Sequence, residues 1–310
     1  MFVSRPALWT SLHCVDLDKT RVYLERSKSS PVDLSLHSYR MSLFDHFFKF
    51  LPHIAGRLKS LNIEGRSEHL QAISAHLDCP APLLEELSIC GANDSILPST
   101  FLNGDLSVLH TLYLHDVCTE LPWRNMVNLT SFSLLYGSPI STNQYLDLFE
   151  SAPRLRHVFL CSATPITGAQ NERLVPMACL KWMDCSSIPG SLLFDHLLIP
   201  VGADLAIQAD LPSQTEGRPP KFIDNLKNPL NFTTIGLYMV EAQMRFEGPN
   251  GEVSITPSAY GTSQVLEFLA YFDTSMAERL EIHRASPATG DLVYRALLPM
   301  KGLRTLRLTR

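Results

Sequence analysis

A short phrase of alternating apolar and polar positions recurs along the chain: leucine, two variable residues, an apolar residue, one variable residue, and a second apolar residue. The clear copies begin at Leu58, Leu84, Leu109, Leu129, Leu155 and Leu303, and looser copies lie at 180–183 and around 280–282. The central apolar positions from 61 to 183 are separated by 26, 25, 20, 26 and 25 residues. Because side chains alternate across a strand, each copy predicts a short β-strand with one apolar face.

The spacing of these phrases, 20 to 26 residues, is typical of a leucine-rich repeat. One short strand cannot bury its apolar face alone, whereas stacked copies bury a continuous core. The pattern therefore predicts an α/β leucine-rich-repeat solenoid, with a curved parallel β-sheet and with helices or irregular turns on its convex side. The alternative is an ordinary α/β domain with a parallel sheet, but no glycine-rich phosphate loop follows any strand.

The segments between the phrases predict the remaining elements. Apolar residues at helical spacing predict helices at 19–27, 45–51, 68–77, 143–150 and 263–272. We expect Val22 and Leu24 to be buried in the first helix, and Ser141 or Thr142 to cap the fourth. Composition predicts an irregular loop near 210–221, and Gly248-Pro-Asn-Gly251 predicts the turn of a β-hairpin inserted near 233–256. We expect residues 1–310 to form a single repeat domain.

Charge and hydropathy restrict the kinds of partner and the cellular compartments that we expect. The 26 Lys and Arg against 31 Asp and Glu give a net charge of −5 without a basic stripe, which argues against nucleic acid. No apolar run approaches a membrane span, and the first residues lack a signal-peptide pattern. The seven cysteines are irregularly spaced, which indicates buried free thiols in a cytoplasmic or nuclear protein. Sequons at Asn93, Asn128 and Asn231 support the alternative, a secreted repeat protein.

The sequence carries none of the common catalytic motifs. No nucleophile-elbow, zincin or phosphate-loop motif occurs. Cys179 and Cys185, with His196 further along, do not have the spacing of a zinc site. Cys161 and His157 lie four residues apart on one predicted strand, which separates them by about 13 Å, beyond hydrogen-bond reach. We therefore predict no enzymatic activity, no metal ion and no cofactor.

The polar positions of successive phrases are the expected binding surface, because stacked repeats present an extended concave face. These positions are Asn62, Glu64, Ser88, Tyr113, His115, His157, Phe159, Trp182, Asp184 and Arg307. Tyr113, Phe159 and Trp182 are the expected anchors, since Tyr and Trp are enriched where binding energy is concentrated. The sequence thus predicts a target protein bound on the concave face.

The beginning of the chain resembles one junction in a known family. The segments Pro6-Ala-Leu-Trp-Thr-Ser-Leu12, Lys19-Thr-Arg-Val-Tyr-Leu-Glu-Arg-Ser27 and Pro31-Val-Asp-Leu-Ser-Leu36 are similar to the region that follows the F-box in fungal F-box/leucine-rich-repeat proteins. Pro82-Leu-Leu-Glu-Glu-Leu and Pro153-Arg-Leu-Arg-His-Val resemble repeats of the same family. The resemblance spans most of the chain, but no F-box-like segment occurs within it.

The resemblance implies the substrate-recognition part of an SCF-type ubiquitin ligase. In that family the F-box docks on a Skp adaptor and a cullin, and the repeats hold the target. Skp and cullin are therefore expected partners only if an F-box is encoded upstream of Met1. The alternatives are a free-standing repeat scaffold without a ubiquitin link, and a fragment of a secreted repeat receptor.

Overall fold

Each clear copy of the recurring phrase forms a β-strand in the computed structural model of the chain. The structure describes residues 5–13, 17–37, 51–137, 140–161, 173–189, 191–200, 202–209, 234–238, 243–248, 251–257, 269, 274–283, 293–294 and 297–309. The chain divides into two units, residues 1–140 with 147–155 and residues 141–146 with 156–310. The single repeat domain over 1–310 stays a prediction.

Six strands lie in the described part of the first unit, and they follow one another in sequence and in space. They are β1 (Ser11–His13), β2 (Val32–His37), β3 (Leu58–Glu64), β4 (Glu86–Leu97), β5 (Thr111–Thr119) and β6 (Ser131–Leu135). Each pairs in parallel with the next. A parallel neighbour requires a crossover, and the segments between the phrases supply it.

The apolar positions of the phrase stack from strand to strand in the first unit. Leu61 pairs with Leu87, Leu87 with Leu112, and Leu112 with Phe132. A second row joins Ile63, Ile89, Leu114 and Leu134 in the same way. All eight side chains are at most 1 % exposed. Burial of this kind stabilises a fold by roughly 1.5–3 kcal/mol for each large aliphatic side chain, so the two rows are the core of this unit.

Two backbone features recur just before the strands. One is a tight turn, and the other is a pair of amide hydrogen bonds to the preceding repeat. The amide of the first leucine of the phrase donates to the carbonyl three residues earlier, as in Leu84 to Ala81, Leu109 to Leu106, Leu129 to Met126, Leu155 to Ala152, Leu180 to Met177 and Leu303 to Met300. The next two amides bond to the preceding repeat: His110 N and Thr111 N donate to Glu85 O at 2.8 and 3.0 Å. Lys181 and Trp182 repeat this bond to Arg156. Each repeat therefore includes a tight turn directly before the leucine phrase, as well as the phrase itself.

The helices are short and lie between the strands. They are α1 (Leu17–Ser27), α2 (Leu51–Ile54), α3 (Ser67–His76), α4 (Thr142–Ser151) and α5 (Ser191–Phe194). The predicted helices at 19–27, 68–77 and 143–150 match α1, α3 and α4. The prediction of a buried Val22 and Leu24 is wrong: Val22 is 39 % exposed and Leu24 is half-buried, while Thr20 and Ser27 form the buried side of α1.

Ser141 caps α4 with a reciprocal pair of hydrogen bonds. The Gln144 amide donates to Ser141 Oγ at 3.3 Å, and the Ser141 amide donates to Gln144 Oε1 at 2.9 Å. This is the capping box that a Ser-x-x-Gln sequence forms. The sequence predicts either Ser141 or Thr142 as the N-cap. In the structure the N-cap is Ser141, because Thr142 is already the first residue of the helix and is fully buried.

The strands of the second unit are mainly parallel. Its described elements are β7 (His157–Cys161), β9 (Trp182–Pro189), β11 (Asp204–Ala209), β12 (Thr234–Tyr238), β13 (Gln243–Gly248), β14 (Gly251–Pro257), β15 (Arg279–His283) and β16 (Thr305–Thr309). They are ordered β7, β9, β11, β14, β13, β12, β15, β16, and among the described strands β13 alone runs antiparallel to both of its neighbours. A separate small sheet pairs β8 (Val175–Pro176) with β10 (Leu197–Leu198).

The predicted hairpin near 233–256 is part of this sheet. β13 and β14 pair antiparallel up to Gly248 and Gly251, as a hairpin requires, and the two residues between them lie outside the described residues. The predicted region also contains a further strand, because β12 precedes β13 and pairs antiparallel with it. β14 then pairs in parallel with β11, and β12 with β15. The hairpin strands are therefore part of the sheet, where they lie between the parallel strands β11 and β15.

The chain is thus α/β, with large, open and mainly parallel sheets and few helices. The predicted loop 210–221 lies outside the described residues, as do the helices expected at 45–51 and 263–272 except for Leu51 and Leu269. Six cysteines are described and free of disulfides. Cys161 and Cys185 are buried as expected, whereas Cys79, Cys90 and Cys118 are half-buried and Cys179 is exposed.

Candidate functional site

The polar positions of the first unit form two registered rows on the face opposite the leucines. One row pairs Asn62 with Ser88 and Ser88 with Tyr113. The next row pairs His37 with Glu64, Glu64 with Cys90, and Cys90 with His115. All of these side chains are half-buried. The structure therefore brings together the five predicted residues of this unit, which are Asn62, Glu64, Ser88, Tyr113 and His115.

Two close polar contacts run along the second of these rows. His37 Nδ1 lies 3.0 Å from Glu64 Oε2, and Cys90 Sγ lies 3.0 Å from His115 Nδ1. The sequence analysis missed Cys90 because it extends the leucine phrase by one residue and reads as part of an apolar run. The signal that finds it is the alternation itself, since Cys90 lies on the same side of β4 as Ser88.

The electrostatics of Cys90 favour the neutral thiol. Partial burial raises the pKa of the Cys90 thiol, and the negative charges of Glu64 and Asp116 raise it further. A cysteine nucleophile needs the opposite shift, because the thiolate is the reactive form. The close Cys90–His115 pair therefore provides a polar contact within the row rather than an activated nucleophile.

Aromatic rings extend this surface toward the end of β6. The rings of Tyr113 and His115 are 6.4 Å apart, and Tyr136 approaches His115 edge-on at 5.5 Å. Tyr136 is 55 % exposed and follows β6 directly, with a positive φ of 50°. Its position outside the alternating phrase explains why the sequence analysis did not select it. Tyr113, His115 and Tyr136 together make a part-exposed aromatic cluster.

The two rows above have an acidic balance together with a third row on the same face, which joins Ser11, Asp33, Ser60, Glu86, Thr111 and Ser131. Their carboxylates are Asp33 on β2, Glu64 on β3 and Glu86 on β4, and no lysine or arginine occupies a position in these rows. The remaining positions are Ser, Thr, Asn, Tyr, His, Cys and one Leu. At neutral pH this face therefore complements a positively charged partner.

In the second unit, Phe159 and Trp182 stack on one another. Their ring centroids are 6.0 Å apart with an angle of 17° between the planes. The contact is diagonal, since Trp182 pairs with His157 and Phe159 pairs with Asp184. Trp182 is 37 % exposed and Phe159 is half-buried. The structure therefore brings His157, Phe159, Trp182 and Asp184 together, as the alternation predicts.

Arg307 is the predicted residue that the structure places elsewhere. It lies on β16, separated from β9 in the strand order by β11, β14, β13, β12 and β15. Its guanidinium is 3.8 Å from Glu281 Oε1 on the neighbouring β15. Arg307 is exposed, but in this unit it does not adjoin the Phe159–Trp182 stack.

The described residues contain no group of three or more His, Cys, Asp and Glu side chains arranged to hold a metal ion. Of the residues considered for zinc, Cys185 is buried, Cys179 is exposed, and His196 Nδ1 lies 2.9 Å from the carbonyl of Arg173. In the same described ranges, no helix has the length and apolar character required to cross a membrane.

Neither a model of a known protein family nor a curated protein sequence matches the chain.

Proposed function

We propose that this chain is a leucine-rich-repeat solenoid that binds a target protein through the polar face of its strands, without catalysing a reaction. The observation that carries the proposal is the registered array of half-buried polar and aromatic side chains on the face opposite a fully buried leucine core. The repeated turn and the hydrogen bond that links each repeat to the next support the solenoid. An array of polar and aromatic side chains that extends over several neighbouring strands is the kind of surface on which repeat proteins bind a protein partner.

The aromatic residues supply the anchors of this interaction. Trp182 and Phe159 in the second unit, and Tyr113 in the first, present large rings of limited side-chain entropy, which is the property that makes aromatic residues frequent hot spots. The acidic balance of the rows around Glu64 and Glu86 favours a partner segment that carries lysine or arginine. Binding of such a partner weakens with increasing salt.

The resemblance to fungal F-box/leucine-rich-repeat proteins implies the purpose of this binding. We propose that the bound protein is presented for ubiquitination when the repeats are joined to an F-box. Reading the transcript upstream of the Met1 codon, and testing the resulting protein for capture of a Skp adaptor, tests this part. A free-standing scaffold, or a secreted receptor fragment, is the alternative if the upstream sequence encodes no F-box or encodes a signal peptide.

The binding proposal is tested by quantitative affinity purification from the source organism. The wild-type chain is compared with Phe159→Ala/Trp182→Ala and with Tyr113→Ala. Tyr294→Ala is the matched control, because Tyr294 is 65 % exposed and lies outside the predicted face. We expect at least one protein to be lost from both face variants and kept by the control. Equal recovery by all variants, with folding intact, would refute the proposal.

A further inference from the structure

The aromatic cluster of Tyr113, His115 and Tyr136 lies where the backbone of the first unit departs from regular strand geometry. Asp116 and Tyr136 have positive φ angles of 53° and 50°, which residues other than glycine rarely adopt. Asp116 follows His115 directly, and Tyr136 follows Leu135, the residue of β6 that pairs with His115. Such conformations persist only where the surrounding structure holds them, and they concentrate at binding sites.

Two glycines permit this backbone, because each lies close to the main chain of β5. A Cβ atom at Gly91, on β4, would be 2.7 Å from the carbonyl oxygen of Asp116. A Cβ atom at Gly137, directly after Tyr136, would be 3.0 Å from the carbonyl oxygen of Val117. A contact of 2.7 Å is shorter than a Cβ atom tolerates, so any side chain at Gly91 would displace the strand ends. Close packing on both sides of β5 therefore holds Asp116 and Tyr136 in place.

The left-handed backbone at Asp116 adds a carboxylate to the polar side of β5. Half-buried and buried residues alternate along β5 up to His115, after which Asp116 is half-buried as well and Val117 is buried. The pairing with β4 passes in the same place from His115 directly to Val117, as in a bulge. The charge of Asp116 raises the pKa of the Cys90 thiol, and Cys90 Sγ lies 3.0 Å from His115 Nδ1. The carboxylate therefore acts on the same part of the face as the aromatic cluster.

Aromatic rings beside a carboxylate favour one kind of side chain. The faces of aromatic rings attract a cation, and a carboxylate forms charge-assisted hydrogen bonds with it. Arginine meets both conditions best, because its planar guanidinium stacks on a ring and also presents a fork of N–H donors to a carboxylate. Tyr136 is 55 % exposed, so its ring is accessible to such a group.

We propose that the aromatic cluster, together with Asp116, binds an arginine side chain of the target protein. The proposal rests on target binding by the polar face, and it names the chemistry of the contact in the first unit. Tyr136 is then a specificity-determining residue that lies outside the leucine phrase, and its left-handed backbone places the ring 5.5 Å from that of His115. The acidic balance of the neighbouring rows attracts the same cationic partner.

The test is a titration of the full-length, ¹⁵N-labelled chain at neutral pH and constant ionic strength, followed by amide chemical shifts. The probes are blocked glycine peptides that carry one central arginine, citrulline or lysine. We expect the arginine peptide to cause saturable shifts at the amides of Tyr113–Asp116 and Tyr136. The citrulline peptide keeps the planar shape without the charge and should bind on the order of tenfold more weakly. The lysine peptide should also bind more weakly, because an ammonium lacks the planar fork of donors.

Two substitutions test the site within the chain. Tyr136→Asn removes the ring with a residue that tolerates the left-handed backbone, and it should weaken binding of the arginine peptide on the order of tenfold. Tyr136→Phe keeps the ring and should bind as the wild type does. Asp116→Asn removes only the charge and should also weaken binding on the order of tenfold. The controls are Asp78→Asn, at an exposed position after α3, and Tyr294→Asn, at an exposed position in the second unit, and both should leave the affinity unchanged.

The arginine site would be overturned by shifts that do not saturate, by saturable shifts confined to other residues, or by equal affinity for the arginine peptide and either of the other two. Wild-type affinity in folded Tyr136→Asn or Asp116→Asn chains would also overturn it. If one of these variants does not fold, the other decides.

Target capture distinguishes failure of this site from failure of target binding. A captured protein that Phe159→Ala/Trp182→Ala loses and Tyr136→Asn retains in full would refute the arginine site and leave target binding intact. Capture of no protein by the wild-type chain would refute target binding, even if the arginine peptide gives saturable shifts at Tyr136.

Discussion

Trp182 stacks on Phe159 across two neighbouring strands, and it does so on the polar side of the sheet, where its ring remains 37 % exposed. Aromatic pairs of this kind add about 0.5–1.5 kcal/mol beyond the area that they bury. An aromatic stack that stays accessible to solvent offers a ready anchor for a partner. The positions follow from the register, because Trp182 pairs with His157 and Phe159 with Asp184.

We expect Trp182→Ala to weaken binding of the captured target by about 2 kcal/mol or more, which is roughly thirtyfold or greater in Kd. The free energy of unfolding should fall by only about 1 kcal/mol, because more than a third of the residue is already exposed and its main loss is the stack on Phe159. Surface plasmon resonance and urea denaturation measure the two quantities. Tyr294→Ala is the control, and a Trp182→Ala chain that binds as tightly as wild type would disprove the anchor.

Leu112→Asp should unfold the first unit. Leu112 is fully buried between Leu87 and Phe132 in adjacent strands, so a carboxylate there is desolvated without a partner. The milder Leu112→Ala should cost about 2–5 kcal/mol. Urea denaturation followed by circular dichroism checks both. Thr111→Asp places the same charge one residue earlier, on the half-exposed face, and should cost far less. Equal effects of the two aspartates would refute the assigned register.

Removing the capping box of α4 should destabilise the chain measurably. Ser141→Ala should lower the free energy of unfolding by about 1 kcal/mol, because it leaves the Gln144 amide without its acceptor. Gln144→Ala removes the reciprocal bond, and the double variant should lose less than the sum of the two single losses. Asn143→Ala, an exposed site on the same helix, is the control. Strict additivity in thermal denaturation would argue against a shared cap.

The stability of the second unit should decrease in alkaline solution. Burial raises the pKa of the Tyr145 hydroxyl well above its ordinary value of 10.0, and the charge of Cys185 acts in the same direction. Below pH 10 this tyrosine is protonated in both states and its contribution is complete. Above pH 10 the unfolded chain loses this proton first, so the free energy of unfolding falls with rising pH. Tyr145→Phe should flatten this decline in urea denaturation measured at several pH values. An unchanged decline, or flattening by the exposed Tyr294→Phe as well, would contradict the role of burial.

The cysteines should react with iodoacetamide in the order of their exposure. Cys179 is exposed and should react first, whereas Cys185 is fully buried with a strongly raised pKa and should react only on unfolding. Cys90 should be intermediate, since it is half-buried with a raised pKa. Peptide mass spectrometry of timed samples measures these rates, and a urea-unfolded sample removes the differences. Rapid modification of Cys185 in the folded chain would contradict its position in the core.

The repeat was readable from sequence because one physical rule generates it. The alternation around Leu61, Leu87 and Leu112 fixes which side of each strand is buried, and stacking fixes which residues are neighbours. The polar rows of the first unit, with Tyr113 and His115, follow from that rule alone. The contact of Phe159 with Trp182 also follows, because the two phrases are 25 residues apart and pair in register.

The remaining features depend on information outside the phrase. Arg307 belongs to a strand that the β12–β14 strands separate from the others, and no local pattern reveals where such strands enter the sheet. Val22 was wrongly placed in the core, because a helix beside the first strand β1 has fewer neighbours to cover it. Both features arise from tertiary packing, which periodicity does not encode.

Site-specific photo-crosslinking tests the central claim, that the polar strand face holds a target protein, most directly. A photoreactive phenylalanine analogue is placed at Tyr113 and, separately, at Trp182, and at the exposed turn residues Leu83 and Val127 as controls. Both face positions should crosslink a protein that the wild-type chain also captures, and the turn positions should not. Crosslinks from the turns alone, or equally from turns and face, would contradict the claim.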